Sequence, residues 1–514
     1  MIGKIHIYFV AILTVLISSC SADLNTSTPV DRWPAIFPDY SGIVIPPNIA
    51  PLNFVIKEKG KDFAARITAN GENPITIKNK RGVIDIDISK WHDLLKKAKG
   101  KDINIEVYAK DDNGKWQKFK TIVNQVANDE IDNHLAYRLI NTGYVMWSAL
   151  GIYQRNLENF DESAIIDNKS IDNTCVNCHS FSNNNPKSMN IHVRSTHGGT
   201  VIYTDGKLKK VNLKTKYTLA QGAYVNWHPG GKHIAYSVNT ISQRFFSKNI
   251  RQEVSDAASD LIVYDVEKNR VTTSPKVSTN SRENLPVWSA DGKSLYYISA
   301  PEVTDYESQY NAKFSLMHIP YDVEKNVWGQ ADTVISAKKT GKSVTFPKPS
   351  PDGKYLMFTM SDHGYFTIHH PDADLYLLDL QTGQFERMEV NSELTDSYHC
   401  WSNSGRWFVF SSKRLDGLYT RPFFSYFDKN GKASKPFVLP QKDPEFYDSF
   451  LKNYNIPELI TGAVEPSAFD IRDLIMTEAQ PVEFDPSVDK AYMEEHLRKK
   501  TVVQNQKPAM TEEH

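Results

Sequence analysis

Cysteine is scarce in this sequence, four residues in 514, which excludes a disulfide-rich scaffold. An excess of either charge is also lacking. Lys and Arg number 60 against 61 Asp and Glu, a formal net charge of -1. With no dominant basic run, nucleic acid is not expected as a partner. Past the N-terminus no apolar stretch approaches the ~20 residues that cross a membrane. Ser-His-Asp spacing, H-E-x-x-H and a phosphate-binding glycine loop are missing, so the familiar hydrolytic and nucleotide chemistries have no motif here.

What is present is a globular balance, 40% hydrophobic and 24% charged, with 25 Tyr, 24 Phe, 25 Gly and 26 Pro. That composition leans toward β structure, and the length allows two or three domains with real cores.

The first residues read as an export signal. Lys4 precedes an apolar run from Ile5 to Ile17, followed by Ser18, Ser19 and Cys20. About thirteen apolar residues are too few for a membrane span. Leu16-Ile17-Ser18-Ser19-Cys20 resembles the lipobox of bacterial lipoproteins. The resemblance implies a signal peptide over 1–19, lipid on Cys20 as the membrane anchor, and a polar tether over 20–32. Ser21 after the cysteine fits outer-membrane sorting, so the expected place is the cell envelope, lipid-anchored and facing the periplasm or surface. The alternative is a plain secretory signal with an incidental cysteine.

Residues 33–128 carry short alternating runs such as Phe63-Ala64-Ala65-Arg66-Ile67 and Ile103-Asn104-Ile105-Glu106-Val107. Turn signals separate them, which predicts a β-sandwich of fibronectin-III or immunoglobulin type. A short helical insert is expected over 91–99. Residues 129–191 read as an aromatic-rich connector, including Tyr144-Val145-Met146-Trp147, that leads into the one strong chemical motif.

That motif is Cys175-Val176-Asn177-Cys178-His179, the C-x-x-C-H spacing of covalent haem attachment. Two thiols at this spacing can add to the two vinyl groups of one porphyrin, and the next His then ligates the iron. With four Cys and fifteen His in 514 residues, chance produces the motif on the order of 0.001 times. The expected cofactor is therefore haem c, with Cys175 and Cys178 as thioether anchors and His179 proximal. Met189 and His192 are the candidate distal ligands, a thioether raising the reduction potential relative to a second imidazole. A local disulfide and half of a zinc site are the alternatives; no second C-x-x-C exists to complete a zinc site.

From about residue 192 a repeat sets the fold. Val225-Asn226-Trp227-His228-Pro229-Gly230-Gly231-Lys232 returns as Val287-Trp288-Ser289-Ala290-Asp291-Gly292-Lys293, as Pro349-Ser350-Pro351-Asp352-Gly353-Lys354, and as Trp401-Ser402-Asn403-Ser404-Gly405-Arg406. Each copy predicts strand, tight turn and strand. The W-S-P-D-G-K pattern resembles the repeats of TolB-type β-propellers, which implies five or six blades over 192–465. A strand from the C-terminal region is expected to close the ring, leaving 466–514 as a peripheral tail with a helix over 488–499. Cys400 is expected in a repeat core. His369, His370 and Asp372, in a His- and Asp-rich stretch, are weak candidates for a metal site.

Over most of its length the chain is similar to exported bacterial proteins that join one haem motif to a TolB-like propeller. The resemblance implies electron transfer or redox sensing at the envelope with a redox partner protein; no catalytic residue is singled out, and an enzyme would need an open iron position or a metal held by His369 and His370. The alternative is a non-enzymatic propeller that binds a protein or glycan, with the cysteine pair as a disulfide.

Overall fold

The computed structural model describes residues 24–69, 72–142, 148–244 and 252–505. The signal sequence, Cys20 and the Tyr144–Trp147 aromatics lie outside the described residues. Two compact units are present.

The first unit spans residues up to Glu130 together with Pro440–Phe450. It holds a seven-stranded sheet centred on Asp102–Lys110 and a three-stranded sheet of Ile36–Phe37, Phe54–Ile56 and Val83–Ile84. A helix over Ile88–Ala98 starts where the Asp87 side chain accepts the Lys90 amide at 2.9 Å, satisfying an otherwise orphaned helix donor. Its buried Trp91 donates to the Ile49 carbonyl at 3.0 Å. The segment 440–450, expected inside the propeller, belongs here: Asn53 donates to the Lys442 carbonyl at 2.9 Å.

The second unit is a six-bladed β-propeller. Its four repeat copies are hairpins between the first and second strands of blades 3 to 6. Their signature has a local cause. In three copies the serine hydroxyl accepts an amide across the turn, Ser294 to Ser289 at 3.1 Å, Tyr355 to Ser350 at 3.0 Å and Trp407 to Ser402 at 3.1 Å. Gly231, Gly292, Gly353 and Gly405 occupy φ of +71°, +72°, +69° and +65°, a conformation that L side chains rarely adopt.

Blade 3 is Gly222–Trp227, His233–Arg244, Glu253–Asp265 and Arg270–Thr272; blade 4 opens with Arg282–Trp288, blade 5 with Ser343–Pro349 and blade 6 with Asp396–Trp401. Blade 2 is Val176–Ser182, Asn185–Val193, Gly199–Thr204 and Lys207–Asn212. Blade 1 takes His134–Ile140, Leu150–Asn156 and Glu162–Asp167, with Asn453–Ile460 as its innermost strand. The six innermost strands contact one another in a closed circle.

Three expectations are corrected here. Residues 129–191 are not a connector: they supply three strands of blade 1 and the first two of blade 2. The C-x-x-C-H stretch therefore runs into an inner strand. The propeller accordingly starts near residue 134 rather than 192. The tail is not peripheral, because Gln480–Pro481 and Glu483–Phe484 add in parallel to the outer strands of blades 2 and 3. Beyond them the helix Lys490–Asn505 brings His496 to 3.0 Å and Lys500 to 2.5 Å from the buried Asp260 carboxylate. The expected closing strand is Asn453–Ile460.

Two outcomes test this architecture. Ile460, fully buried in the core shared by blades 1 and 2, sits in the closing strand. Ile460→Ala is expected to cost about 2–5 kcal/mol, read as a lowered urea midpoint of the propeller transition. Burial pushes Glu283 up to about 7, with Asp260 adding and Lys500 opposing. Folding thus favours its protonated form. That stability is full below the ordinary carboxylate pKa and is lost as pH rises through 7. Glu283→Gln is expected to lose less thermal stability than the parent between about pH 5 and about pH 8.

Candidate functional site in the central channel

Every inner strand is bulged at the same level. The ladder to the second strand skips Asn177-Cys178 in blade 2, Tyr224-Val225 in blade 3 and Leu285-Pro286 in blade 4. It skips Phe346-Pro347, Tyr398-His399 and Ile456-Pro457 in blades 5, 6 and 1. A bulge frees two residues from pairing and re-aims their side chains, and all twelve line one cavity on the propeller axis. In five strands the first bulged residue is left-handed without being glycine: Tyr224, Leu285, Phe346, Tyr398 and Ile456 have φ of 48°, 50°, 48°, 52° and 49°. Each costs on the order of 1–3 kcal/mol. Proline at the second position in three strands removes an amide that would otherwise lack a partner.

The next residues place chemistry on this frame. Lys348, Cys400, Glu458 and His179 follow the bulges of blades 5, 6, 1 and 2, adjacent around the ring, and all four face the cavity. The walls are aromatic and prolyl, the Phe346 and Tyr398 rings meeting at a tilt of 39° with centroids 4.3 Å apart. Arg138, Arg194 and Lys348 bring positive charge. The adjoining ends of the second and third strands of blade 3 add Ile241, Gln243 and Val254 to the lining, and the connection between the second and third strands of blade 5 adds Phe366. The enclosed space is about 110 Å³.

The His179 side chain is fully buried, 3.9 Å from Glu458 Oε2; its ring also approaches the Ile456 backbone, and neither nitrogen makes a well-formed hydrogen bond. Burial, reinforced by Arg138 and Lys348, pushes its pKa down to about 3, so the imidazole is neutral. Burial likewise raises Glu458 to about 7, against the pull of Lys348 and of the Phe181 amide that it accepts at 3.1 Å. Burial raises the Cys400 thiol to about 12. The site thus presents an uncharged imidazole and a thiol within a positively framed apolar chamber.

The fold separates the residues singled out from sequence. Cys178 and His179 line the cavity; Cys175 does not, and packs against the core between blades 1 and 2. The Cys178 side chain belongs to the core between blades 2 and 3, so the two thiols enter different cores, and both are free. Cys175 precedes the strand, which begins at Val176, while Cys178 sits in the bulge that re-aims its side chains, which is the physical reason. Met189 is fully buried in the same core as Cys175. His192 is buried one strand out and accepts from Arg194 at 3.3 Å. Neither reaches the chamber where His179 lies. The two cysteines do not share one chamber, so the residues do not fit attachment of a haem through both of them. Cys400, expected in a repeat core, lines the cavity instead.

Of the weak candidates, His370 approaches Glu253, Asp372 accepts the Asp362 amide at 2.5 Å, and His369 stands outside the group that His370 joins. Sequence reasoning missed Glu458, Lys348, His399 and Arg138. Aligning the copies on their bulges, rather than on the glycine turns, is the signal that picks out the first three.

The shielding of the thiols is testable. Burial raises the pKa of both Cys175 and Cys400, and only a thiolate attacks a disulfide reagent. In native protein at about pH 8, Cys175 and Cys400 are expected to resist an aromatic disulfide reagent and to react promptly in denaturant, as peptide mass mapping reads directly.

No model of a known protein family and no curated relative matches the chain. Among solved structures it is similar to the Dos1 propeller at 15% identity, covering 46% of this chain and 66% of that one, just under two thirds of its length, with a TM-score of 0.28. It is similar to the Cps50 (Swd1) β-propeller domain of Myceliophteria thermophila at 10% identity, covering 51% and 73%, with a TM-score of 0.31. A luciferin-regenerating enzyme aligns at 10% identity over 59% and 90%, with a TM-score of 0.35. These likenesses concern the fold alone.

Proposed function

We propose that this chain is a haem-binding propeller of the cell envelope that serves electron transfer or redox sensing with a partner protein. The observation that carries the reading is His179: a neutral, fully buried imidazole with no well-formed hydrogen bond at either nitrogen, facing an apolar chamber from within C-V-N-C-H. An unpaired buried polar group is costly, and a metal ion answers that cost. His179 would hold the iron, Cys178 would supply one thioether, and Arg138, Arg194 and Lys348 would face acidic groups at the porphyrin edge. When bound, the haem iron supplies the one-electron chemistry. The chain's own part is to keep His179 unprotonated and to exclude water. Pockets for ligands of drug size run ~300–1,000 Å³, so a porphyrin enters only if the lining side chains from blades 3 and 5 move aside. We read Cys20 as the lipid anchor to the outer membrane and the first unit as a sandwich-type docking module.

A second reading, a non-enzymatic propeller that binds a protein or a glycan, is favoured by Cys175, which packs against the core between blades 1 and 2 and not in the chamber. The disulfide variant of that reading meets two thiols that enter different cores.

A pyridine haemochrome spectrum of protein made in a periplasm with c-type maturation separates the two. Covalent haem is expected in the parent and in Cys175→Ala. It is expected to be lost to acid-acetone extraction in Cys178→Ala and absent in His179→Ala. A parent without a Soret band overturns the haem reading and leaves the binding module.

A further inference from the structure

We infer that Glu253, His363 and His370 form a divalent-cation site, independent of the channel chemistry and best matched to Zn²⁺. Glu253 opens the third strand of blade 3; the two histidines come from the blade 5 connection between Tyr355–Ser361 and Asp374–Asp379. One carboxylate oxygen, Glu253 Oε2, lies 3.1 Å from His370 Nε2 and 3.3 Å from His363 Nε2. All three ligand atoms lie within 4.8 Å of one another. Zinc bonds of ~2.0–2.1 Å at tetrahedral angles set ligand atoms ~3.3 Å apart, so the two nitrogen–oxygen separations already have the length of a coordination edge. A two-histidine, one-carboxylate set suits zinc and its neighbours rather than Mg²⁺ or Ca²⁺, which take mainly oxygen.

The surroundings are those of a built site. The side chains of Glu253 and His370 are 2% and 1% exposed, and His363 is 15% exposed. His363 Nε2 is aimed at the same carboxylate oxygen that His370 Nε2 hydrogen-bonds. The backbone holds the ligands in place: Thr395 donates to the His370 carbonyl and Ser361 to the His363 carbonyl, both at 2.8 Å. Gly364 leaves the space open, since a Cβ there would meet Glu253 Oε1 at 3.2 Å and His370 Cε1 at 3.3 Å. Three protein ligands leave a fourth position for water or a small anion. Phe366, between the two histidines, and Val254, next to Glu253, both line the central cavity. A bound ion therefore ties two of its lining elements to each other.

The test is titration of tag-free, chelator-stripped full-length protein with Zn²⁺ alone, followed by calorimetry and by metal analysis after gel filtration. One tightly held Zn²⁺ per chain is expected, together with a rise in melting temperature that excess chelator reverses. Glu253→Gln, His363→Ala and His370→Ala are each expected to weaken binding by more than the ~10–100-fold that losing an outer partner costs. His369→Ala and Asp372→Ala, two and more residues removed in role though close in sequence, are expected to bind as the parent does. Circular dichroism identifies any variant that fails to fold, and the exposed edge of the site makes His363→Ala the mildest of the three. A folded parent that takes up no Zn²⁺ overturns the inference and leaves a buried imidazole–carboxylate pair. Equal loss in His369→Ala overturns the ligand assignment.

Discussion

The pairing of Asn453–Ile460 with His134–Ile140 is the contact on which the rest of the propeller depends. It makes blade 1 from both ends of the unit, and it alone puts Glu458 beside His179 in the ring of inner strands. Bringing such distant segments together has a loop entropy cost that grows slowly with length. It is offset by ladder hydrogen bonds and by the apolar core between blades 1 and 2, to which both segments contribute Ala136, Ile140 and Ile460. Without it, the cavity has five walls and an opening.

How far the sequence reveals this fold depends on where the signal is local. The four glycine turns of blades 3 to 6 are legible because a left-handed glycine and a tryptophan or proline recur within a few residues in all four, with a serine in three. Blades 1 and 2 carry no such signature. The first hairpin of blade 2 turns on Asn183 and Asn184, both left-handed without being glycine, and blade 1 lacks its inner strand until residue 453. A strong short motif then gives 129–191 the look of a segment with its own purpose. The same contrast governs the site. Cys178 and His179 are visible because they are three and four residues from Cys175. Glu458, Lys348 and Glu253 are visible only once blades stand next to each other.

The chamber itself shows how strain and charge are combined. Five non-glycine residues in left-handed backbone are held because every blade packs against two others, which over-determines the inner strands. In return the bulges turn side chains into the axis, where little water competes. In that setting burial dominates, and it drives imidazole, carboxyl and thiol alike toward their uncharged forms. Arg138 and Lys348 sharpen this for His179, and Lys348 opposes it for Glu458. Neighbouring ring positions are thus set several pKa units apart by one environment.

The parallel strands of the tail have a further meaning for how the molecule behaves in company. The outer strand of a blade offers unpaired amides and carbonyls, the standing invitation by which one sheet recruits another chain. Residues 480–484 occupy that edge on blades 2 and 3, while Phe385–Arg387, the outer strand of blade 5, is short and exposed along its length with a glutamate and an arginine. One edge is guarded by occupancy and the other by charge and brevity. A cut between the helix Ala468–Ile475 and residue 480 would loosen that occupancy, leaving blades 2 and 3 to rely on the lysines of Lys207–Asn212 and the brevity of Arg270–Thr272 to keep other chains off their edges.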